Sequence, residues 1–504
     1  MSTLTYLSFA VLLVPLFVVP GWLWLRRLGV EPVLALYLGP GVTALVGAAI
    51  VALGLLLPWS VRATCVGGAL VIAASAIVCG VTAPRPLGPA RGDLTGMVVF
   101  IVAFLSMAAF SGVPSAPYGM WSSDTVGPAR ADSPRWPGLP IDNTLPYRTG
   151  QVALYKQGGN AIRDGYSPGW WLSDRTPLTG LDFAFAAGAM GIHVSPSNLE
   201  EEAGKLVPML ETDPQGFWSY QVVAMFLNLA IILGVYVLAR VWLTRHVATL
   251  AALITAVMPG LFLNGIYTWP KQAVAYFLLG AAACLIRRRP LALAGVFAGL
   301  AFLTHPVGVL WIPGLAVLAL SDAELRARTR RTLGLFLGAA AVVAAPWELF
   351  TSLVMHATSR WITAPLGVLL PDPRHLGTSL NMAWHGFLDN GVLFIFWARI
   401  ESTAGSLYPL NLAATPSKAP PHGYGPQIMV SWSAAHGFSV WGMAGLVLAP
   451  FAVLTAVKHW AVFRRLALRL VAPAVIVVEI WNGETYPFAN QSMFALVGLL
   501  AIVA

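Results

Sequence analysis

Long apolar runs separated by short polar connections make up most of the chain. They fall near Leu4–Leu25, Val33–Leu57, Ala63–Val81, Leu94–Phe110, Tyr220–Leu238, Val247–Leu263, Ala273–Ile286, Leu291–Leu303, Val307–Leu320, Leu333–Ala345, Trp441–Val457, Leu466–Ile480 and Phe494–Ala504. Lipid offers no hydrogen-bond partners, so a spanning segment must be a helix or part of a closed barrel. Barrel strands alternate apolar and polar residues over roughly 10-residue segments, and these runs do not. With about 20 residues needed per crossing, the pattern predicts an all-α polytopic membrane protein of about 11–13 transmembrane helices. Two runs break the rule of length. Leu291–Leu303 and Val307–Leu320 give helices of roughly 20 Å each at 1.5 Å per residue, so they predict a hairpin buried in protein, with Thr304-His305-Pro306 at its tip.

Two polar stretches interrupt the apolar pattern and set the domain organisation. The first, Gly112–Gly216, is rich in Pro and Trp and carries seven aspartates: Asp124, Asp132, Asp142, Asp164, Asp174, Asp182 and Asp213. The second is Pro346–Ser439, which mixes polar and aromatic residues. The chain therefore divides into a four-helix membrane segment (1–111), a large loop containing short helices (112–216), central membrane helices (217–345), a second loop segment (346–439) and C-terminal membrane helices (440–504).

Charge sets the orientation. Basic residues come as clusters between apolar runs: Arg26-Arg27, Arg85 and Arg91, Arg240 and Arg245, Arg287-Arg288-Arg289, Arg326 to Arg331, and Lys458 with Arg464-Arg465. With the N-terminus extracytoplasmic, every cluster falls on the cytoplasmic side, as the positive-inside rule requires. Both large loops then face the extracytoplasmic side of the cell membrane. The net charge of +9 is explained by these clusters, so it does not point to nucleic acid. A mean hydropathy of +0.73 fits the same class. Three cysteines, Cys65, Cys79 and Cys284, lie inside apolar runs and supply neither a disulfide framework nor a metal site. The first apolar run has no Lys or Arg before it and Arg26-Arg27 after it, so it is not expected to be a cleaved signal.

The candidate chemistry lies in the first loop. In Asp142-Asn143-Thr144-Leu145-Pro146-Tyr147-Arg148 an acid has a basic neighbour. A carboxylate there could accept a proton from a hydroxyl, while cations hold a departing phosphate at the membrane surface. Asp142-Asn143 could equally cap a helix through Thr144–Leu154. Downstream, Gly169-Trp170-Trp171-Leu172-Ser173-Asp174-Arg175-Thr176-Pro177-Leu178 offers a second acid, Asp174, and a cation, Arg175, or else a turn before a helix at Leu178–Met190. Lys271, after Trp269-Pro270 at the outer end of a span, stands where the positive-inside rule disfavours it. It suits a lipid phosphate, or an interfacial anchor. His305 could be a phosphate ligand or a buried structural histidine. No spacing specifies a metal, although Asp, Glu and His of the loops could hold a divalent ion.

At these residues the chain resembles the GT-C superfamily of membrane glycosyltransferases, which includes protein O-mannosyltransferases, lipid A aminoarabinose transferases and mycobacterial arabinofuranosyltransferases. The resemblance rests on Asp142 in Asp-Asn-Thr-Leu-Pro-Tyr, on Ser173-Asp174-Arg175-Thr176-Pro177-Leu178, on Lys271 after Trp269-Pro270, and on Leu303-Thr304-His305-Pro306. It covers about Asp142–Leu320, and the motifs are short. It implies inverting transfer from a polyprenyl-phosphate sugar to a glycan, lipid or protein acceptor on the extracytoplasmic face. Asp142 and Asp174 would then be the catalytic acids, and Arg148, Arg175, Lys271 and His305 would hold the donor phosphate. Tyr147, Trp170, Trp171 and Trp269 would line the substrate. The chain departs from the family in placing four spans, rather than one, before the acidic loop. Another class, a transporter or flippase for a lipid-linked saccharide, would need polar residues near the bilayer midplane. The runs contain few, Asn228 being the clearest.

Overall fold

The computed structural model describes residues 3–112, 141–157, 175–196, 213–257, 270–288, 290–356, 457–458 and 460–461. Nearly all of the last three apolar runs and of the second loop segment lies outside these residues. The described elements are all helical: α1 (Thr3–Arg27), α2 (Pro32–Leu56), α3 (Val61–Thr82), a 3-10 turn (Arg91–Leu94) leading into α4 (Thr95–Gly112), α5 (Ile141–Tyr155), α6 (Leu178–Ala189), α7 (Pro214–Leu229), α8 (Ile231–Trp242), α9 (Arg245–Val257), α10 (Lys271–Ile286), α11 (Leu291–Thr304), a 3-10 segment (Pro306–Trp311), α12 (Ile312–Leu320), α13 (Ala323–Ala327) and α14 (Thr329–Leu353). Among the described residues, six helical stretches are long and apolar enough to cross a membrane. The chain is an all-α polytopic membrane protein.

The centre is the stretch Gln215–Val241, formed by α7 and α8 and buried along its whole apolar length. At the other extreme, α3 and α14 leave most of their surface open, with Leu70, Val71, Ile77, Val342 and Leu349 exposed. Lipid is as apolar as leucine, so such faces are stable where water would reject them, and helices must instead associate by close packing of small residues. At the α1–α2 crossing, a Cβ on Gly21 would stand 2.0 Å from the Gly39 carbonyl oxygen, and the Gly21 N–H donates to Thr43 Oγ1 at 3.0 Å. At the α11–α14 crossing, a Cβ on Gly295 would stand 2.1 Å from the Phe336 oxygen.

Proline within these helices is accommodated rather than avoided. In α2, Pro40 lies beside the point where the Tyr276 hydroxyl of α10 is inserted, accepting from Gly41 N at 3.1 Å and donating to the Tyr37 oxygen at 3.0 Å. A side chain inserted into the helical ladder is a recognised cause of a bend. The predicted end of one span at Ala345 is corrected: α14 runs through Pro346 to Leu353. Pro costs a helix one hydrogen bond, and neighbouring groups in membrane helices offset that loss.

Several of the basic clusters meet at one end of the bundle. Arg26 donates to the carbonyl oxygens of Pro84, Pro86, Leu87 and Val30, stapling the connection after α3. Arg240 Nε reaches Asp93 Oδ1 at 2.6 Å, and Tyr37 OH donates to the Asp93 carbonyl at 2.6 Å. The Tyr37 and Tyr236 rings stack over this pair, with centroids 4.6 Å apart. Arg287 approaches Glu31 at 4.0 Å, and Arg288 pairs with Asp322 and Glu324. At the opposite end, Lys156 donates to the Leu57 oxygen and Arg62 to the Ile192 oxygen, so the described parts of the first loop gather around the α2–α3 connection.

Candidate functional site

Two cations picked out in the sequence, Arg175 and Lys271, converge on His305. Arg175 lies just before α6, Lys271 is the first residue of α10, and His305 follows α11. Packing brings these points together, since α6 and α10 both touch α11. His305 is 3% exposed and Arg175 is 5% exposed. His305 sits in the turn between α11 and the following 3-10 segment, outside the six long apolar stretches. Burial first, then the fields of Arg175 and Lys271, hold it well below the usual histidine range. These surroundings favour the neutral imidazole, which offers one N–H donor and one acceptor nitrogen. The chain turns at His305 from α11 into the 3-10 segment, which packs back on α11, with Gly308 N bonded to the His305 oxygen at 2.9 Å.

Two helix N-termini reinforce the positive character of this place. The residue before α6 is Pro177 and the one before α10 is Pro270, and neither helix has a side-chain cap at that position. The first N–H groups of a helix and its dipole favour an anion. On α10, Asn228 Oδ1 accepts from Ala273 N at 3.2 Å, so the clearest polar residue of the central run serves as a helix-end acceptor.

The acid–cation motif on α5 has a different arrangement. Asp142 lies in the first turn of α5, and its side chain is outside the described residues. Six residues further along the same helix stands Arg148, which is about 240° around and about 9 Å along the axis, so the two do not share a face. Arg148 is 2% exposed and donates through Nη1 to Gln151 Oε1 at 2.9 Å. Gln151 Nε2 donates to Tyr147 OH and to the Ser195 oxygen, both at 2.9 Å. Tyr147 OH donates to Asp213 Oδ2 at 2.5 Å. Asp213 also accepts from Ser195 N at 2.8 Å and from Gly216 N at 3.0 Å, the latter as the N-cap of α7. The Tyr147 ring is fully buried, with Phe183, Phe217 and Tyr220 centroids at 5.6, 5.5 and 5.7 Å. Asp174, Trp170, Trp171 and Trp269 lie outside the described residues.

Two residues of this region were not singled out from the sequence. Asp213 could have been found, because Asp before Pro is a helix-start signature. Asp182 stands alone in the apolar helix α6, and what is unusual about it, the lack of a hydrogen-bond partner among the described residues, depends on neighbours that the sequence does not reveal. No group of three or more His, Cys, Asp or Glu side chains that could hold a metal occurs among the described residues. Compared with protein families, with curated proteins and with solved structures, the chain shows no match.

Proposed function

We propose that this protein is an integral-membrane glycosyltransferase of the GT-C type. It moves a sugar from a polyprenyl-phosphate donor to a cell-envelope glycan, lipid or protein acceptor on the extracytoplasmic face. The observation that carries this reading is the convergence of Arg175, just before α6, and Lys271, at the start of α10, on buried His305. That is a place for an anion, held at the ends of apolar helices where a lipid phosphate is presented. In the proposed step the acceptor hydroxyl oxygen attacks the anomeric carbon and the bond from that carbon to the phosphate oxygen breaks. The hydroxyl proton passes to Asp142. Polyprenyl phosphate leaves with the bond's electron pair, its growing charge met by Arg175 and Lys271.

The test is transfer by the purified full-length protein from a panel of prenyl-phosphate-linked sugars. Lys271→Met and Arg175→Met should each raise KM for donor or lower turnover roughly 10- to 150-fold, because a charge-assisted hydrogen bond contributes about 1.5–3 kcal/mol. Unchanged rates in both variants would remove the phosphate from this site. One observation favours a second reading, a transporter or flippase for a lipid-linked saccharide: Asp182 is buried against α2, and embedded acids mark many transport pathways. Movement of donor across liposomes without transfer would decide for it.

Orientation has its own test. Single cysteines at Ser195 and Arg288, in a protein lacking Cys65, Cys79 and Cys284, should label from the extracytoplasmic and cytoplasmic sides respectively. Labelling of both from one side would overturn the proposed topology.

A further inference from the structure

Asp182 is wholly buried on α6, and neither carboxyl oxygen finds a hydrogen-bond partner among the described residues. It faces Gly47 of α2, where a Cβ would come 3.4 Å from Asp182 Oδ1 and 2.8 Å from the Phe185 ring. The missing side chain of Gly47 thus makes room for the acid. Gly47 stands nine residues before the end of α2 at Leu56, about 14 Å along the helix, so water at the helix end is remote. One helical turn earlier on α6, Thr179 Oγ1 is also buried without a hydrogen-bond partner among the described residues, and spacing of three residues puts it beside Asp182.

Among the described residues, the elements packed on α6 bring no counter-ion. Between Pro32 and Leu56, α2 has no charged residue. From α3 come Cys65, against Gly188 and the Ala184 oxygen, and Arg62, bonded to Ile192 beyond the end of α6. The described side chains of α5 include Tyr147, Arg148 and Tyr155. The first two belong to the network ending at Asp213, and Tyr155 donates to the Val194 oxygen. From α7 comes Tyr220, packed on Phe183, and α11 ends at His305 beside Arg175. An isolated carboxylate in such surroundings is heavily penalised, whereas a carboxylic acid is tolerated. Calcium needs six to eight oxygen ligands and magnesium about six, and Asp182 with Thr179 offers no more than three. A proton needs one.

We propose that Asp182 is a proton-binding site: a carboxyl carried as the acid in the α2–α6 interface, whose deprotonation loosens α6 from Gly47. The acid O–H can donate to Thr179 Oγ1. Loss of the proton leaves a charge that is relieved only by moving toward water, and α6 carries Arg175 at its start. The inference rests on burial and packing and stands whether the protein transfers sugar or transports it.

The experiment is carbodiimide labelling of the full-length protein in lipid nanodiscs. Apolar dicyclohexylcarbodiimide reacts with buried carboxylic acids in their protonated form, the acid O–H adding across a C=N bond before rearrangement to a stable N-acylurea. Asp182 should be modified at pH 6, as read by peptide mass. It should be modified more slowly as pH rises, and far less by a water-soluble carbodiimide. A second readout is the difference in Tm between wild type and Asp182→Asn across pH. A carboxyl that binds its proton more tightly folded than unfolded stabilises most at low pH and loses that contribution as pH rises. The wild-type Tm should therefore fall relative to the variant between pH 5 and 8. Equal labelling by both reagents, no labelling of Asp182 at pH 6, or protection by sodium at constant pH would overturn the proposal, the last by making the occupant an alkali cation. Parallel Tm profiles would overturn it too, and if Asp182→Asn does not fold, the labelling of wild type alone decides.

Discussion

Asp142→Asn should yield a folded protein that still binds the prenyl-phosphate sugar and transfers it at least ~100-fold more slowly, the usual low end for loss of a general base. Asparagine keeps the size of aspartate and its ability to begin a helix, and Asp142 lies in the first turn of α5. What it cannot do is take the acceptor's proton. The substitution therefore separates catalysis from capping, the two roles that the sequence leaves open for this residue. Donor affinity should be unchanged, because the phosphate is assigned to Arg175 and Lys271 on other segments. Asp174→Asn is the control and should lose less. Abolished transfer in Asp174→Asn with an active Asp142→Asn would reverse the two acids and leave Asp142 as a helix start.

The apolar pattern made the helices legible, because in lipid each backbone group must be satisfied within its own segment and little else competes. The short runs on either side of His305 showed that the chain must turn there. The basic clusters read as belonging together, and contacts such as Arg240 with Asp93 and Arg287 with Glu31 do bring them to one end. The loop segment read as beginning at Pro346 in fact begins later, because α14 continues through that proline to Leu353, as helices in lipid tolerate. The site was harder to read. Arg175, Lys271 and His305 stand far apart in the chain, and only the packing of α6 and α10 on α11 brings them together. Arg148 was paired with Asp142 by closeness in sequence, yet helical geometry turns it away, and its partner is Gln151. Sequence proximity within a helix is informative at three and four residues, not at six.

Asp213→Ala should be the most destabilising single change among the described polar residues. The carboxylate holds three groups at once: Gly216 N at the start of α7, Ser195 N, and the hydroxyl of Tyr147 on α5. Loss of an N-cap costs about 0.5–2 kcal/mol. Each buried donor left without an acceptor costs about 1–3 kcal/mol. Since these bonds form one network they do not simply add, and a total of about 3–5 kcal/mol is expected, lowering Tm by roughly 10 °C. Tyr147→Phe removes a single hydroxyl and should cost about 1 kcal/mol. Gln151 still has the Ser195 oxygen in that variant, so its amide keeps a partner. The double variant should be little worse than Asp213→Ala alone, because the alanine has already removed the acceptor that Tyr147 serves. A Tm for Asp213→Ala within error of wild type would mean that the network is incidental to the fold. A large loss in Asp213→Ala with full additivity of Tyr147→Phe would mean that the two side chains act separately. The expected coupling ties α5, and with it Asp142, to the start of α7, so the same Asp213→Ala protein should also show a lower transfer rate at temperatures where it remains folded.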